Sequence, residues 1–217
     1  MEKPLSLADI RSNYAKQILN VEAVDANPLR QFDAWMQEAL QAKVEEPTAM
    51  TLSTASLQGR PSARIVLLKA IEDGGFVFYT NYESRKGQQL AENPFASLTF
   101  FWPALERQVR VEGKVVKVEP TTSDAYFNSR PRGSQLGAWS SPQSQTIESR
   151  KVLEDLELKY SQEFSQQETI PRPAHWGGYK LVPDRIEFWQ GRPNRLHDRL
   201  LYHADAAGQW TIERLAP

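Results

Sequence analysis

The sequence predicts a mainly β protein, an antiparallel barrel that is closed or nearly closed, with helices as excursions from it. Short runs rich in Thr, Val, Ile, Phe and Tyr are separated by turn residues, as at residues 58–61 and 73–75. Closure is expected because it removes exposed strand edges. The predicted strands span residues 48–56, 62–71, 75–80, 96–102, 107–119, 177–190 and 209–215.

Helices are predicted from capping residues and apolar spacing. Asn27 can cap a helix, and Pro28 fits its first position, where a backbone N–H is not needed. A helix over residues 28–44 follows from apolar residues at helical spacing, which are Leu29, Phe32, Met36, Leu40 and Val44. Polar helical inserts are expected near residues 84–93, 121–129 and 146–164. The stretch 129–145, rich in Ser, Pro, Gly and Gln, is expected to be an irregular loop.

Composition excludes several classes of function. The 26 Lys and Arg residues nearly balance the 27 Asp and Glu residues, so no overall field attracts nucleic acid or an anionic membrane. Any anion site is therefore local. The chain has no cysteine, which excludes disulfides, thiolate metal sites, a thiol nucleophile and a flavin attached through sulfur. With no signal-like apolar stretch near the N-terminus, we expect a cytoplasmic protein.

The segment 84–87 is the first candidate phosphate site. Neither a GxGxxG motif nor a P-loop motif occurs, so phosphate has to be held in another way. Arg85 and Lys86 lie in the first turn of a predicted helix, where the helix dipole disfavours cations. A bound phosphate would compensate them, because helix N-termini offer free N–H groups to anions. A solvated basic turn is an equally good interpretation of this segment alone.

Two further cations lie in the apolar run 63–71. An unpaired charge there would be costly, so Arg64 and Lys69 each need a partner or solvent. They are five residues apart, and a regular strand would point them to opposite faces. We expect each to serve a different ligand, with solvent exposure of one of them as the alternative.

The segment 195–199 is a candidate anion clamp. If it is extended, Arg195, His197 and Arg199 share one face. Two arginines can grip a phosphate or carboxylate, and an imidazole beside them can transfer a proton near neutral pH. A surface salt-bridge cluster with Asp198 is the alternative, slightly favoured when this segment is taken alone.

A third candidate site precedes the irregular loop. Tyr126 and Arg130 are one helical turn apart, so both can face one ligand before Pro131 ends the helix, and Ser134 follows. A structural Tyr–Arg stack is the commoner explanation for such a pair. The three histidines have no metal-ligand spacing with nearby acids, so no metal site is expected.

Taken together, these segments resemble the pyridoxine (pyridoxamine) 5'-phosphate oxidase family over nearly the whole chain. Each short string alone is weak, but eight in the family's order are highly specific. They are EPTAM (46–50), RIVLLK (64–69), FYTN (78–81), SRKG (84–87), LERQVRVEG (105–113), YFNSRPRGSQLGAW (126–139), PQSQ (142–145) and IEFWQGRPNRLHDR (186–199). Glu46 stands where the family pattern has Asp.

The resemblance implies an FMN-binding split barrel with Greek-key topology that acts as a homodimer with two flavins at the subunit interface. Residues 28–217 would form one domain, and residues 1–27 an N-terminal segment that covers the substrate. By the family pattern, FMN is expected at Arg64, Ile65, Val66, Leu67, Leu68, Lys69, Tyr79, Thr80, Arg85, Lys86, Gln108, Gln143, Ser144, Trp189 and Arg199. The substrate is expected at Arg11, Tyr14, Lys69, Tyr126, Arg130, Ser134, Arg195 and His197.

The implied reaction is oxidation of pyridoxamine or pyridoxine 5'-phosphate to pyridoxal 5'-phosphate, with O2 as acceptor and H2O2 as product. Arg195 and His197 are the expected catalytic residues. His197 is the better proton acceptor, because arginine is effectively never deprotonated in proteins. The alternatives are a related flavin split-barrel enzyme with another substrate and a non-catalytic carrier of pyridoxal phosphate. A yellow, flavin-containing preparation would discriminate against the carrier.

Overall fold

A computed structural model describes residues 13–217, which form two compact units. The first unit comprises the described residues up to Pro47, together with residues 99–111 and 184–217. The second comprises residues 48–98 and 112–183. The sequence predicted one domain over residues 28–217, and the division into two compact units does not test that prediction. None of the helices within residues 13–217 has the length and apolar character needed to cross a membrane.

Antiparallel pairing dominates the described strands, in agreement with the sequence. The strands are β1 (Ala49–Ala55), β2 (Pro61–Leu67), β3 (Ala70–Glu72), β4 (Gly75–Asn81), β5 (Phe95–Trp102), β6 (Arg107–Lys117), β7 (Trp176–Gln190), β8 (Asp198–Ala204) and β9 (Trp210–Arg214). Their order in the sheet is β2-β1-β5-β6-β7-β4-β3, and β8 pairs with β7 and β9. The pairs β1–β2, β3–β4, β4–β7, β7–β8 and β8–β9 are antiparallel.

Five α-helices accompany the strands within residues 13–217. They are α1 (Pro28–Gln41), α2 (Arg85–Glu92), α3 (Pro120–Ser129), α4 (Arg132–Ser140) and α5 (Arg150–Glu163). The predicted cap of α1 is confirmed, because the Asn27 side chain accepts hydrogen bonds from the backbone N–H groups of Leu29 and Arg30. The helix ends at Gln41 rather than at residue 44, since Lys43 adopts a left-handed backbone with φ of 51°.

The core of the first unit is aromatic. Phe32 and Trp35 on α1 are buried, and Phe32 packs edge-on against Phe100 with ring centroids 4.9 Å apart. Trp35 packs edge-on against Phe188 of β7 at 5.1 Å. Strand β8 was not predicted, because its first residues were interpreted as an anion clamp. Its centre, Leu200–Tyr202, is largely apolar and buried.

In the second unit, α4 replaces the irregular loop predicted over residues 129–145. That prediction was wrong because tertiary packing overrides the weak helix propensity of a segment rich in Ser and Gly. Leu136 and Ala138 join a buried cluster with Phe127, Phe164 and Ile170. The amide nitrogen of Gln135, also buried, donates to the main-chain oxygens of three residues at the end of α3, which are Phe127, Asn128 and Arg130.

Candidate functional site

A cavity of about 550 Å³ lies within the second unit. That volume is in the range of small-molecule and cofactor sites, about 300–1,000 Å³. Among the described residues that line it are four cations and no carboxylate. The lining residues are Arg64, Ile65, Val66, Leu67, Lys69, Tyr79, Thr80, Asn81, Lys86, Tyr126, Arg130, Pro131, Ser134, Gln143 and Trp176. A wall of this charge fits a multiply charged anion.

Arg64 and Lys69 line the same cavity, although they were expected to point to opposite faces of a strand. That expectation assumed one regular strand over residues 62–71. The chain instead ends β2 at Leu67 and begins β3 at Ala70. Leu68 donates its N–H to the oxygen of Thr48, whereas Lys69 donates to the oxygen of Val77. Exposure nevertheless alternates through the break, with Leu68 buried and Lys69 exposed, and residues from both faces of β2 line the cavity.

Arg64 is anchored to β1 and β2 rather than to an acid. Its guanidinium donates to the main-chain oxygen of Leu52 at 2.9 Å, to Thr54 Oγ1 at 2.8 Å and to Ser62 Oγ at 2.6 Å. Burial, and then the charge of Arg85, lower the pKa of Arg64. A guanidinium held by neutral oxygens keeps its full charge for a ligand in the cavity.

Lys86 reaches the cavity from the first turn of α2. The helix predicted to begin here is confirmed, and Ser84 caps it by accepting a hydrogen bond at Oγ from the N–H of Gly87. Lys86 Nζ donates to Gln143 Oε1 at 2.7 Å and to Thr80 Oγ1 at 3.0 Å. Burial, and then the charge of Arg64, lower the pKa of Lys86 to about 8. A bound anion would reverse this shift, since it favours the charged ammonium.

Aromatic rings form another side of the cavity. The rings of Tyr79 and Tyr126 stack with centroids 3.8 Å apart, and Trp176 lies nearly parallel to Tyr79 at 5.5 Å. The guanidinium of Arg130 lies over the Trp176 ring at 4.6 Å. Tyr126 and Arg130 therefore line one cavity, but they stack on other aromatic rings, Tyr126 on Tyr79 and Arg130 on Trp176, and a shared ligand stays a prediction.

Arg130 gives the clearest indication that the cavity suits an anion. Its Nη1 atom is buried and has no hydrogen-bond partner among the described residues. Burial, which outweighs the opposing effect of Tyr126, lowers the pKa of this guanidinium. A buried, unsatisfied donor on a charged group is costly, so the site fits an anion that would accept from it.

Trp176, like Asn81 and Pro131, lines the cavity but was not among the site residues expected from the sequence. Its signal was the string Trp176-Gly177-Gly178, a large aromatic residue before two glycines at the start of a strand. A Cβ atom at Gly178 would lie 2.8 Å from Cε1 of Tyr79 and 2.6 Å from Cγ2 of Val118. Glycine at this position therefore lets β7 approach the stacked rings closely.

Not every expected site residue of the second unit lines the cavity. Leu68 is buried in the core, Arg85 is exposed at the start of α2, and Ser144 has a left-handed backbone with φ of 73°. Of the other expected residues, Gln108, Trp189, Arg195, His197, Arg199 and Tyr14 belong to the first unit. Arg11 lies outside the described residues.

The segment 195–199 is not an extended clamp. Residues Pro193–Arg195 form a 3-10 turn in which Arg195 has φ of 62°, and the strand begins only at Asp198. Arg199 donates through two nitrogens to the carboxylate of Glu187, both at 2.9 Å. Asp198 pairs instead with Arg214 at 2.9 Å. Pro193 restricts the backbone where this turn begins. The prediction assumed the regular alternation of side chains in a strand, which does not apply to a turn.

His197 contacts two aromatic side chains in the first unit. Its ring centroid lies 4.6 Å from that of Trp189 and 6.0 Å from that of Tyr14. His197 Nδ1 accepts a hydrogen bond from the N–H of Arg192 at 3.1 Å. Partial burial, and then the charge of Arg195, lower the pKa of His197, so the neutral ring is favoured. Since Nδ1 is the acceptor, the neutral ring carries its proton on Nε2.

We searched the described part of the chain for side chains that could bind a metal ion. No group of three or more His, Asp or Glu side chains within residues 13–217 could hold a metal ion. The chemistry of the described cavity is that of an anion and aromatic-ring site.

Two family models match the chain. The model described as pyridoxamine 5'-phosphate oxidase matches residues 36–156, and that described as the pyridoxine 5'-phosphate oxidase C-terminal dimerisation region matches residues 176–217. A pyridoxine/pyridoxamine 5'-phosphate oxidase of Paraburkholderia phymatum is 61% identical over 213 residues, covering 98% of this chain and 99% of the relative. One of Salinibacter ruber is 56% identical over 212 residues, covering 97% and 99%.

Solved structures give the same fold. PhzG from Burkholderia lata 383, in complex with tetrahydrophenazine-1-carboxylic acid, superposes with a TM-score of 0.86 at 30% identity, covering 94% of this chain and 100% of PhzG. A pyridoxamine 5'-phosphate oxidase-related, FMN binding protein from Nostoc punctiforme has a TM-score of 0.69 at 19% identity, covering 89% and 100%. These likenesses confirm the split-barrel fold class expected from the sequence.

Proposed function

Because this chain belongs to the pyridoxamine 5'-phosphate oxidase family, we propose that it is an FMN-dependent oxidase forming pyridoxal 5'-phosphate from pyridoxamine 5'-phosphate and pyridoxine 5'-phosphate. The acceptor is O2 and the product is H2O2. One observation carries the proposal, namely a cavity lined by four cations, with no carboxylate among its described lining residues. The stacked tyrosines beside those cations suit an aromatic ligand with a phosphate attached.

The cations are divided between two phosphates in this proposal. A phosphomonoester carries about −1.5 to −2 charges at pH 7, so each phosphate needs roughly two cations or equivalent N–H donors. Arg64 and Lys86 serve the phosphate of FMN, with Arg85 at its edge. Lys69 and Arg130, aided by Tyr126 and Ser134, serve the phosphate of the substrate. All of these except Arg85 line the cavity.

The proposed assembly is a homodimer with FMN at the subunit interface. The match of residues 176–217 to a C-terminal dimerisation region supports it. We assign Gln108, Trp189 and Arg199 to the flavin in that dimer, as the sequence resemblance implies. Arg199 is held in place by its bidentate ion pair with Glu187, which leaves its orientation fixed before any cofactor binds.

FMN, when bound, supplies the two-electron acceptor for the hydride that leaves C4' of the substrate. The side chains of the protein would orient the substrate relative to the flavin. Holding the substrate phosphate at Arg130 and Lys69 fixes the pyridine ring at a set distance from the flavin phosphate site, which favours a reactive geometry. Binding energy at that remote phosphate is thus used for orientation, and unphosphorylated pyridoxine should lose turnover as well as affinity.

The role of His197 differs from the one expected from the sequence. Accepting a proton at Nε2 would require the other tautomer, and would place a protonated Nδ1 against the N–H of Arg192. We therefore assign His197 as a donor that binds a polar substituent of the substrate through Nε2–H. Arg195 balances charge and positions the pyridine ring.

Two substitutions of His197 separate these roles. His197→Gln keeps an N–H donor near the Nε2 position but cannot take up a proton, so we expect flavin reduction within roughly tenfold of wild type. His197→Leu removes the donor and should slow reduction about 100-fold. Stopped-flow absorbance of the flavin measures both rates. Equal losses in the two variants would restore the proton-accepting role.

The pKa of Lys86 predicts how FMN affinity depends on pH. Below about pH 8 Lys86 is charged in the empty cavity, and above it the charge is lost. The phosphate of FMN is already fully ionised above about pH 7, so only the cation titrates. Affinity should change less than about twofold between pH 7 and pH 8 and should be about tenfold weaker at pH 9 than at pH 7. Fluorescence titration of the apoprotein tests this, and Lys86→Arg, whose charge does not titrate, should flatten the curve.

The proposed reaction is tested by H2O2 release. Holoprotein given pyridoxine 5'-phosphate should release one H2O2 for each pyridoxal 5'-phosphate formed, and pyridoxamine 5'-phosphate should release ammonia in addition. A protein that binds FMN tightly but yields neither product would be a flavin enzyme with another substrate. A protein that binds pyridoxal phosphate and no FMN would be the carrier.

A further inference from the structure

Glu106 is a buried carboxylate to which neither the sequence resemblance nor the proposed mechanism assigns a role. It follows the 3-10 turn Pro103–Leu105 and precedes β6, with a left-handed backbone at φ of 56°. Only 7% of the residue is exposed. A buried carboxylate needs strong hydrogen-bond donors. A left-handed backbone at a residue other than glycine is strained, so the surrounding structure has to hold it.

The donors come from the N-terminal segment. Glu106 Oε2 accepts the backbone N–H of Ala15 at 2.9 Å and that of Lys16 at 3.0 Å. Lys16 Nζ also donates to the main-chain oxygen of Ala104 at 2.6 Å. Charge-assisted bonds to two successive backbone N–H groups fix the direction of the chain at residues 15 and 16.

The main chain of Glu106 fixes a second segment. Its carbonyl oxygen accepts the N–H of Gly191 at 2.7 Å and the side-chain amide of Gln190 at 3.2 Å. One residue therefore sets the position of the N-terminal segment through its carboxylate and that of the end of β7 through its carbonyl.

Tyr14 lies where these two segments meet. Its ring is edge-on to Trp189, with centroids 5.9 Å apart, and 6.0 Å from His197. A Cβ atom added at Gly191 would lie 2.7 Å from Cγ and 2.8 Å from Cβ of Tyr14. Those are the inner atoms of the side chain, so the ring could not move aside without moving the backbone of residue 14.

We propose that Glu106 is a positioning residue that holds Tyr14 against Gly191, Trp189 and His197, and thereby sets the affinity for the substrate. The inference rests on the proposed function, in which His197 binds the substrate, and on the substrate contact that the sequence resemblance implies for Tyr14. Glu106 itself touches no substrate. Its effect should appear in KM rather than in kcat, because it places a binding group and leaves the reacting atoms unchanged.

A double-mutant cycle on the FMN-loaded enzyme tests the proposal with pyridoxine 5'-phosphate as substrate. Glu106→Ala should raise KM about tenfold and change kcat less than roughly twofold, and Tyr14→Ala should do the same. If Glu106 acts through Tyr14, Glu106→Ala should add less than about a twofold change in the Tyr14→Ala background. The proposal would be overturned if the two substitutions raised KM independently, so that their effects multiplied in the double mutant. An unchanged KM in Glu106→Ala would also overturn it.

Two further variants keep the test independent of folding. Glu106→Gln retains one oxygen acceptor and should restore most of the affinity lost in Glu106→Ala. Gly191→Ala keeps the carboxylate but displaces Tyr14, and should raise KM as Tyr14→Ala does; a wild-type KM in Gly191→Ala would count against the proposal. Glu168→Gln, at an exposed position, is the matched control and should behave as wild type.

Hydrogen exchange separates failure of this inference from failure of the proposed function. In the FMN-loaded protein, Glu106→Ala should speed amide exchange at Ala15 and Lys16 at least tenfold, while Glu168→Gln leaves it unchanged. This readout needs no turnover. Unchanged exchange would overturn the inference, whereas an inactive wild type with faster exchange in Glu106→Ala would overturn only the proposed reaction.

Discussion

Lys86→Met should weaken FMN binding about 100-fold at pH 7. The substitution keeps an unbranched side chain of similar length but removes the charge and the bonds to Thr80 and Gln143. Hydrogen bonds to a charged group contribute about 1.5–3 kcal/mol, and no acid among the described lining residues compensates the cation in wild type. Equilibrium titration of the apoprotein, followed by the quenching of flavin fluorescence, measures the change.

The control for this variant is Lys114→Met. Lys114 is an exposed lysine on β6, so its substitution alters net charge by the same amount away from the cavity. We expect wild-type FMN affinity in Lys114→Met. Similar losses in the two variants would mean that Lys86 acts only through the overall charge of the protein.

Arg130→Met should raise KM for pyridoxine 5'-phosphate by about 100-fold while FMN stays bound. The buried Nη1 of Arg130 has no partner among the described residues, and the guanidinium is held over Trp176 at 4.6 Å. An arginine placed in this way can grip a phosphate through two N–H groups, and methionine cannot. Steady-state H2O2 release gives KM, and the flavin absorbance of the dialysed variant gives FMN content.

Unphosphorylated pyridoxine provides the internal control for Arg130. It lacks the group that Arg130 is assigned to bind, so wild type and Arg130→Met should oxidise it at nearly equal low rates. Arg150→Met, which changes an exposed arginine on α5, should match wild type with both substrates. A loss of equal size with pyridoxine and its phosphate would contradict the assignment of Arg130.

Much of the local structure could be predicted from the sequence, because the signals were local. The cap at Asn27 and the start of α2 at Ser84 depend on side chains within three residues of the helix. Helix α4 could not be predicted in the same way. Its Ser and Gly residues favour a loop, and it is stabilised by the burial of Leu136 and Ala138 in a cluster of distant residues.

The sequence predicted the identities of the residues in the candidate site better than their three-dimensional arrangement. The family pattern identified the four cations of the cavity, yet alternation along a strand separated Arg64 from Lys69. The shared cavity depends on tertiary contacts, among them the hydrogen bonds from Leu68 to Thr48 and from Lys69 to Val77, that a single strand does not reveal. The tautomer of His197 likewise depends on a backbone N–H five residues away that the turn at Pro193 brings close.

The most direct test compares FMN with riboflavin, which differ only by the phosphate. If the four-cation cavity exists to hold phosphoryl groups, titration of the apoprotein should show FMN binding at one per chain and riboflavin binding at least about 1,000-fold more weakly. Equal affinities for the two flavins, or no binding of FMN, would contradict the account.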